Sequence, residues 1–159
     1  MPGSGKSTLG KIMAKELAVT FYDLDEEIEK QELKTISEIF MNHGEAYFRE
    51  IEHRKLVELL QSSDAMMIAA GGGTPCFFEA MDLMNKNSIT IFLDTPLQEI
   101  HQRIQSTNLP SRPMFKGLKN EEAMDRLEKI YAQRLPVYRR ARYIVKGKAD
   151  ISDLLSIFR

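Results

Sequence analysis

One cysteine, Cys76, excludes an internal disulfide, and no apolar run approaches the ~18 residues that a membrane-spanning helix requires. No secretory leader pattern opens the sequence, so a cytoplasmic setting without membrane contact is expected. Charge of one sign is also lacking: 22 lysines and arginines against 23 acids leave a net of −1. That balance gives no general field for nucleic acid, although local arginine clusters can still act. Low-complexity tracts and internal repeats are absent. His43, His53 and His101 share no metal-ligand spacing with one another or with Cys76, so no zinc site is expected and the histidines are assigned to the surface. What remains is 43% hydrophobic and 28% charged, the balance of a soluble globular protein. A chain of 159 residues buries one good core rather than two, which predicts a single domain over 1–159, expected as a monomer.

Short β-type runs at 19–23, 66–70, 89–94 and 142–145 alternate with stretches of helical period at 7–17, 45–60, 96–105 and 122–135. A last helix is predicted over 151–158. Such alternation builds βα units around a central parallel sheet with helices on both faces, a three-layer α/β fold. Thr35-Ile-Ser-Glu38 has the form of a capping box opening a short helix that runs to about Met41. The stretch 106–120, with Pro110, Pro113 and Gly117, reads as a loop between two helices and is long enough to serve as a mobile lid.

The chain opens Met1-Pro-Gly-Ser-Gly-Lys-Ser-Thr8 and passes directly into an amphipathic helix, matching all but the first position of the phosphate-loop pattern. Gly3 and Gly5 let backbone N–H groups turn inward around an anion, the helix N-terminus adds partial positive charge, and Lys6 can reach outer phosphates. Ser7 is then placed to ligate Mg²⁺. The plainer reading, a Gly/Ser-rich turn capping a helix, does not call for Lys-Ser-Thr after the second glycine. The pattern's first glycine would precede Met1, and so would the apolar strand that leads into such a loop. A first strand in the middle of the sheet is therefore expected from a longer chain.

Asp23 and Asp25 follow the first β-type run, and strand alternation would point both the same way. Beside a phosphate loop, one acid can hold Mg²⁺ through water and the other can accept the proton of an attacking hydroxyl. The alternative is a solvated helix start, since Glu26, Glu27 and Glu29 come next. Arg49 stands either in a binding site or on a wet helix face paired with Glu45, Glu50 or Glu52. Gly71, Gly72 and Gly73 follow the second run, where successive glycines admit a small ligand close to bare N–H groups. Arg112 in the predicted lid and Arg134 at a helix end can neutralise a phosphoryl group or fork onto a carboxylate, or serve only solubility. Arg139, Arg140 and Arg142 are assigned to the surface.

Taken in order, the phosphate loop, the Asp-x-Asp pair, Phe48-Arg49, the triple glycine, Arg112-Pro and Arg134-x-x-x-Tyr138 resemble the shikimate kinase family of P-loop kinases over nearly the whole chain. The resemblance implies a P-loop kinase fold, with substrate-binding helices over about 24–60 and a lid over about 106–120. It implies ATP phosphates on Gly3, Ser4, Gly5, Lys6, Ser7 and Thr8, with Mg²⁺ on Ser7 and, through water, on Asp23. Asp25 would orient the substrate hydroxyl and could take its proton. Arg49 and Arg134 would clamp the shikimate carboxylate, and Gly72, flanked by Gly71 and Gly73, would contact the ring hydroxyls. Arg112 would reach the phosphates on lid closure, and Arg103 would pack near adenine. The lid reads Arg112-Pro-Met-Phe where Arg-Pro-Leu-Leu is frequent in the family, an exchange of apolar for apolar. The implied reaction is in-line transfer of the ATP γ-phosphoryl group to the 3-hydroxyl of shikimate, a step of aromatic amino-acid biosynthesis. A gluconate- or nucleotide-directed P-loop kinase would share the loop and lid but not the triple glycine with Phe48-Arg49. A non-catalytic nucleotide-binding domain would have no use for Asp25 and three arginines.

Overall fold

The computed structural model describes residues 1–106, 118, 120–147 and 150–158; Arg112 and most of the predicted lid lie outside the described residues. Helix α1 (Lys6–Glu16) leads to β1 (Thr20–Asp23), α2 (Leu24–Glu32), α3 (Ile36–Leu60) and β2 (Met66–Ala69). A 3₁₀ turn at Thr74–Cys76 precedes α4 (Ala80–Asn87), β3 (Ile91–Asp94), α5 (Leu97–Ser106), α6 (Asn120–Tyr138), β4 (Tyr143–Lys146) and α7 (Ile151–Ser156). Each strand falls within its predicted stretch or one residue beyond it.

Both strand pairs among the described residues are parallel, as the βα alternation requires. Strand β1 runs beside β2 with Asp23 opposite Ala69, and β3 runs beside β4 with Asp94 opposite Lys146. The central sheet expected from the sequence is present as two separate pairs. No strand among the described residues lies between β2 and β3. A cavity of about 440 Å³ has Met66, Met67 and Ile68 of β2 and Ile91, Phe92 and Leu93 of β3 among its walls.

Helical period alone marks neither α2, which only the family resemblance places within 24–60, nor α4. Helix α2 buries only Leu24 and Ile28, a one-turn apolar anchor within a strongly acidic segment. Helix α4 starts at Glu79 in a left-handed conformation without a side-chain cap, so no start signal marks it. The capping box forms as predicted, with Glu38 N donating to Thr35 Oγ1 and Thr35 N to Glu38 Oε2. The short helix it opens runs a little past Met41 to a break at Gly44 (φ 80, ψ 176), after which the predicted 45–60 stretch forms the rest of α3.

That backbone conformation is nearly closed to residues with a Cβ, although nothing lies within 4 Å of the Cβ that Gly44 lacks. Gly44→Ala should therefore cost ~1–3 kcal/mol of stability through the backbone alone. Urea unfolding of both proteins checks this, and an unchanged midpoint would show that α3 straightens freely.

The buried side chains form two clusters. Leu24, Ile28, Ile39, Phe48, Ile51 and Leu56 join α2 to α3 and, through Met81 and Met84, to α4. Met1, Phe92, Ile100, Leu127, Ile130 and Tyr138 join the start of the chain to β3, α5 and α6. His53 departs from its surface assignment: it is half-buried with its ring 5.1 Å from that of Phe78, and no partner reaches its buried Nδ1.

Candidate active site

Gly5 caps α1 with φ 93 and Gly3 has φ 72, turns that a side chain would oppose. No side chain caps the N-terminus of α1 and its first turn holds no acid, so this end carries the partial positive charge of a helix start. The loop is held from behind. Ser4 Oγ and Lys6 Nζ both donate to the Met1 carbonyl, at 2.9 and 2.7 Å, and Thr95 Oγ1 donates to Ser4 O at 3.2 Å. Arg103 Nη1 donates to Gly3 O at 3.0 Å while its Nη2 pairs with Glu99, so this arginine lies against the phosphate loop.

Asp23 ends β1 and meets the loop, accepting a 2.5 Å hydrogen bond from Ser7 Oγ at Oδ2. Its Oδ1 accepts Asp25 N at 3.1 Å and so caps α2. This corrects the expectation that both acids share one face of a strand: the strand stops at Asp23, and Asp25 enters from the first turn of a helix. Ser7 and Asp23 together form a pair of hard oxygens. Mg²⁺ takes one or two protein oxygens and fills its octahedron with water and phosphate, so the pair fits that ion. Among the described residues no group of three or more His, Cys, Asp or Glu could hold a metal on its own.

Arg49 settles between its two sequence readings in an unforeseen way. It pairs with Glu45 at 3.1 Å and Glu52 at 2.7 Å, as the wet-face reading has it, yet its side chain is 8% exposed and that of Glu52 is 3% exposed. The guanidinium lies 4.4 Å from the Phe77 ring centroid and 5.1 Å from that of Phe48. Both carboxylate oxygens of Glu52 are used, because Thr74 Oγ1 donates to Oε1 at 2.6 Å. A buried charge persists only when paired and hydrogen-bonded in this way.

The triple glycine is where the groups converge. A Cβ on Gly71 would lie 2.6 Å from Glu52 Oε1 and 3.3 Å from Asp25 Oδ1. On Gly72 it would lie 3.4 Å from Arg134 Nη1, and on Gly73 2.6 Å from Arg49 Nη2. Three missing side chains thus admit two acids and two arginines to one short loop. The Gly71 and Gly73 carbonyls accept from Thr74 N and Cys76 N, at 3.3 and 2.9 Å, and the Gly72 carbonyl accepts from Tyr138 Oη. Burial pushes the Cys76 thiol above its usual pKa despite the nearby Arg134 and Arg49, which opposes a nucleophilic role.

Every described candidate except Thr8, which is exposed, is at least half-buried in or beside this arrangement. The sequence reading left Glu52 as a surface partner and gave Thr74 no role. The signal for Glu52 was its position one turn after Arg49, on the face that also carries Phe48 and Ile51, both buried.

The family model for shikimate kinase matches residues 2–155. The shikimate kinase of Bacteroides fragilis is 42% identical over 142 residues, covering 89% of this chain and 78% of that protein. The crystal structure of shikimate kinase from Bacteroides thetaiotaomicron superposes with a TM-score of 0.91 at 34% identity, covering 98% of this chain and 93% of that one. Shikimate kinase from Acinetobacter baumannii in complex with shikimate gives a TM-score of 0.90 at 29% identity, covering 99% and 88% respectively.

Proposed function

This chain belongs to the shikimate kinase family, and on that premise we propose that its acid pair and arginines hold shikimate beside ATP for transfer of the γ-phosphoryl group to the 3-hydroxyl. Phosphorylation of shikimate by ATP, in aromatic biosynthesis, is the activity of the family. The observation that carries the residue assignment is the convergence of Asp25, Arg49 and Arg134 on Gly71, Gly72 and Gly73. Two guanidinium groups and a carboxylate around bare backbone suit a substrate with one carboxylate and several hydroxyls, as shikimate has.

Backbone N–H groups of the loop from Gly3 to Thr8 receive the phosphates, and Lys6 turns from the Met1 carbonyl to the outer ones. Ser7 and Asp23 hold Mg²⁺, which when bound neutralises charge on the phosphate oxygens. Arg49 and Arg134 clamp the carboxylate and so place the ring, the Gly72 N–H meets a ring hydroxyl, and Asp25 orients the 3-hydroxyl and receives its proton. Arg112 adds positive charge at the transferring group, and the 106–120 loop excludes water. Arg103 braces the phosphate loop from the adenine side. A monomeric, cytoplasmic enzyme is the setting this reading takes.

ADP release, measured with shikimate, gluconate and nucleoside monophosphates offered separately, tests the assignment. Turnover with shikimate alone supports it. Turnover with gluconate or a nucleotide instead would transfer the clamp to another acid, and ATP binding without turnover would leave only a nucleotide-binding domain.

A further inference from the structure

Tyr138 is buried at the end of α6, 4% exposed, with its ring 5.0 Å from that of Phe92. As a core aromatic it needs only a partner for its hydroxyl, and any carbonyl would serve. The partner it has is Gly72, in the middle of the triple-glycine loop and remote in sequence. One helical turn earlier on the same face stands Arg134, whose Nη1 lies 3.4 Å from the Cβ position of that same Gly72. Between them lies Pro136, which has no N–H to give the helix ladder, so the turn carrying both residues lacks one of its own rungs. Its placement depends correspondingly on contacts outside the helix.

We infer that Tyr138 is a positioning residue for the acid substrate, its hydroxyl fixing the Gly72 peptide beside the Arg134 guanidinium. The inference rests on the reading that these two groups receive shikimate. With all three glycine carbonyls turned onto protein donors, the loop's N–H groups are what it offers a ligand. Release of the Gly72 carbonyl frees that peptide to rotate, which disturbs the N–H it offers beside Arg134. Burial, opposed by Arg134, pushes the Tyr138 pKa up to about 12, so the phenol remains a donor throughout the working range of an enzyme.

Tyr138→Phe removes the hydroxyl and keeps the ring against Phe92. The KM for shikimate should rise about five- to tenfold, the factor expected from one lost hydrogen bond of ordinary net strength, while the KM for ATP stays within about twofold. Phe92→Leu serves as the control for a purely structural role, because it disturbs the same aromatic contact without touching the hydroxyl. It should lower Tm and leave the KM for shikimate unchanged. Calorimetric titration of shikimate into each protein reads the same affinity without turnover. The inference is overturned if Tyr138→Phe leaves shikimate affinity intact, weakens ATP in parallel, or is matched in shikimate affinity by Phe92→Leu. Absence of shikimate turnover in the unaltered protein would instead defeat the reading beneath it.

Discussion

Asp25→Asn lowers kcat about a hundredfold or more and leaves the KM for ATP within about twofold, the expected result where a carboxylate takes a proton in the transition state. The reason is local. Asp25 sits at the first turn of α2, its backbone N–H anchored to Asp23 and its Oδ1 3.3 Å from the position that a Cβ on Gly71 would occupy. Asparagine preserves that anchor, the side-chain volume and one acceptor oxygen, but it cannot receive a proton. ATP lies against the α1 end of the site and touches neither α2 nor Gly71 in this reading, so its affinity should be indifferent to the exchange. Steady-state kinetics with each substrate varied in turn separates the cases. A kcat near that of the unaltered protein would remove Asp25 from the chemical step, and equal losses toward both substrates would point to a misfolded α2.

The second large effect separates two arginines assigned one task. Arg49→Ala and Arg134→Ala should each raise the KM for shikimate about ten- to a hundredfold, since in the proposed arrangement each removes charged hydrogen bonds to the carboxylate. Their stabilities should diverge. Removing Arg49 leaves Glu52, 2% exposed, as a buried carboxylate held by Thr74 alone among the described residues. Breaking a buried pair from one side costs ~3–5 kcal/mol, or about 10 °C in Tm for a chain of this size. Arg134 is half-buried and pairs with no acid among the described residues, so its loss should shift Tm by only about 2 °C. Thermal unfolding of the two variants, beside their kinetics, tests this. Equal Tm losses would show that Glu52 relaxes or takes up a proton once Arg49 is gone.

The phosphate loop and the strands were legible because their signals are local: Lys6-Ser7-Thr8 after two glycines, and β-type runs between helical ones. Arg49 shows why the site was only partly so. Its helical spacing to Glu45 and Glu52 predicted the ion pairs correctly, but whether those pairs face water is decided by Phe77 and Thr74, more than twenty positions away in sequence. The same holds for Tyr138, which the sequence marks only as the end of the Arg134-x-x-x-Tyr138 motif and whose contact with Gly72 no such motif contains. For Asp25 the alternation rule failed because Asp23 ends the strand by capping the helix that follows. Long-range packing, which no window of sequence contains, settled Arg49 and Tyr138, whereas Asp25 turned on a contact two residues away.

The phosphate loop is also what the two strand pairs share. Its Ser7 bonds Asp23 at the end of β1, its Ser4 carbonyl holds Thr95 just beyond β3, and Pro2 lies 3.1 Å from the Cβ position of Gly72 just beyond β2. With a cavity between the pairs and this loop bridging their ends, each pair should open as its own cooperative unit in native-state hydrogen exchange. ATP then acts as a rivet through both plates. Its arrival should slow the amides of β1–β2 and of β3–β4 together, including those it never touches, so that occupancy of the loop is recorded in the backbone of both halves.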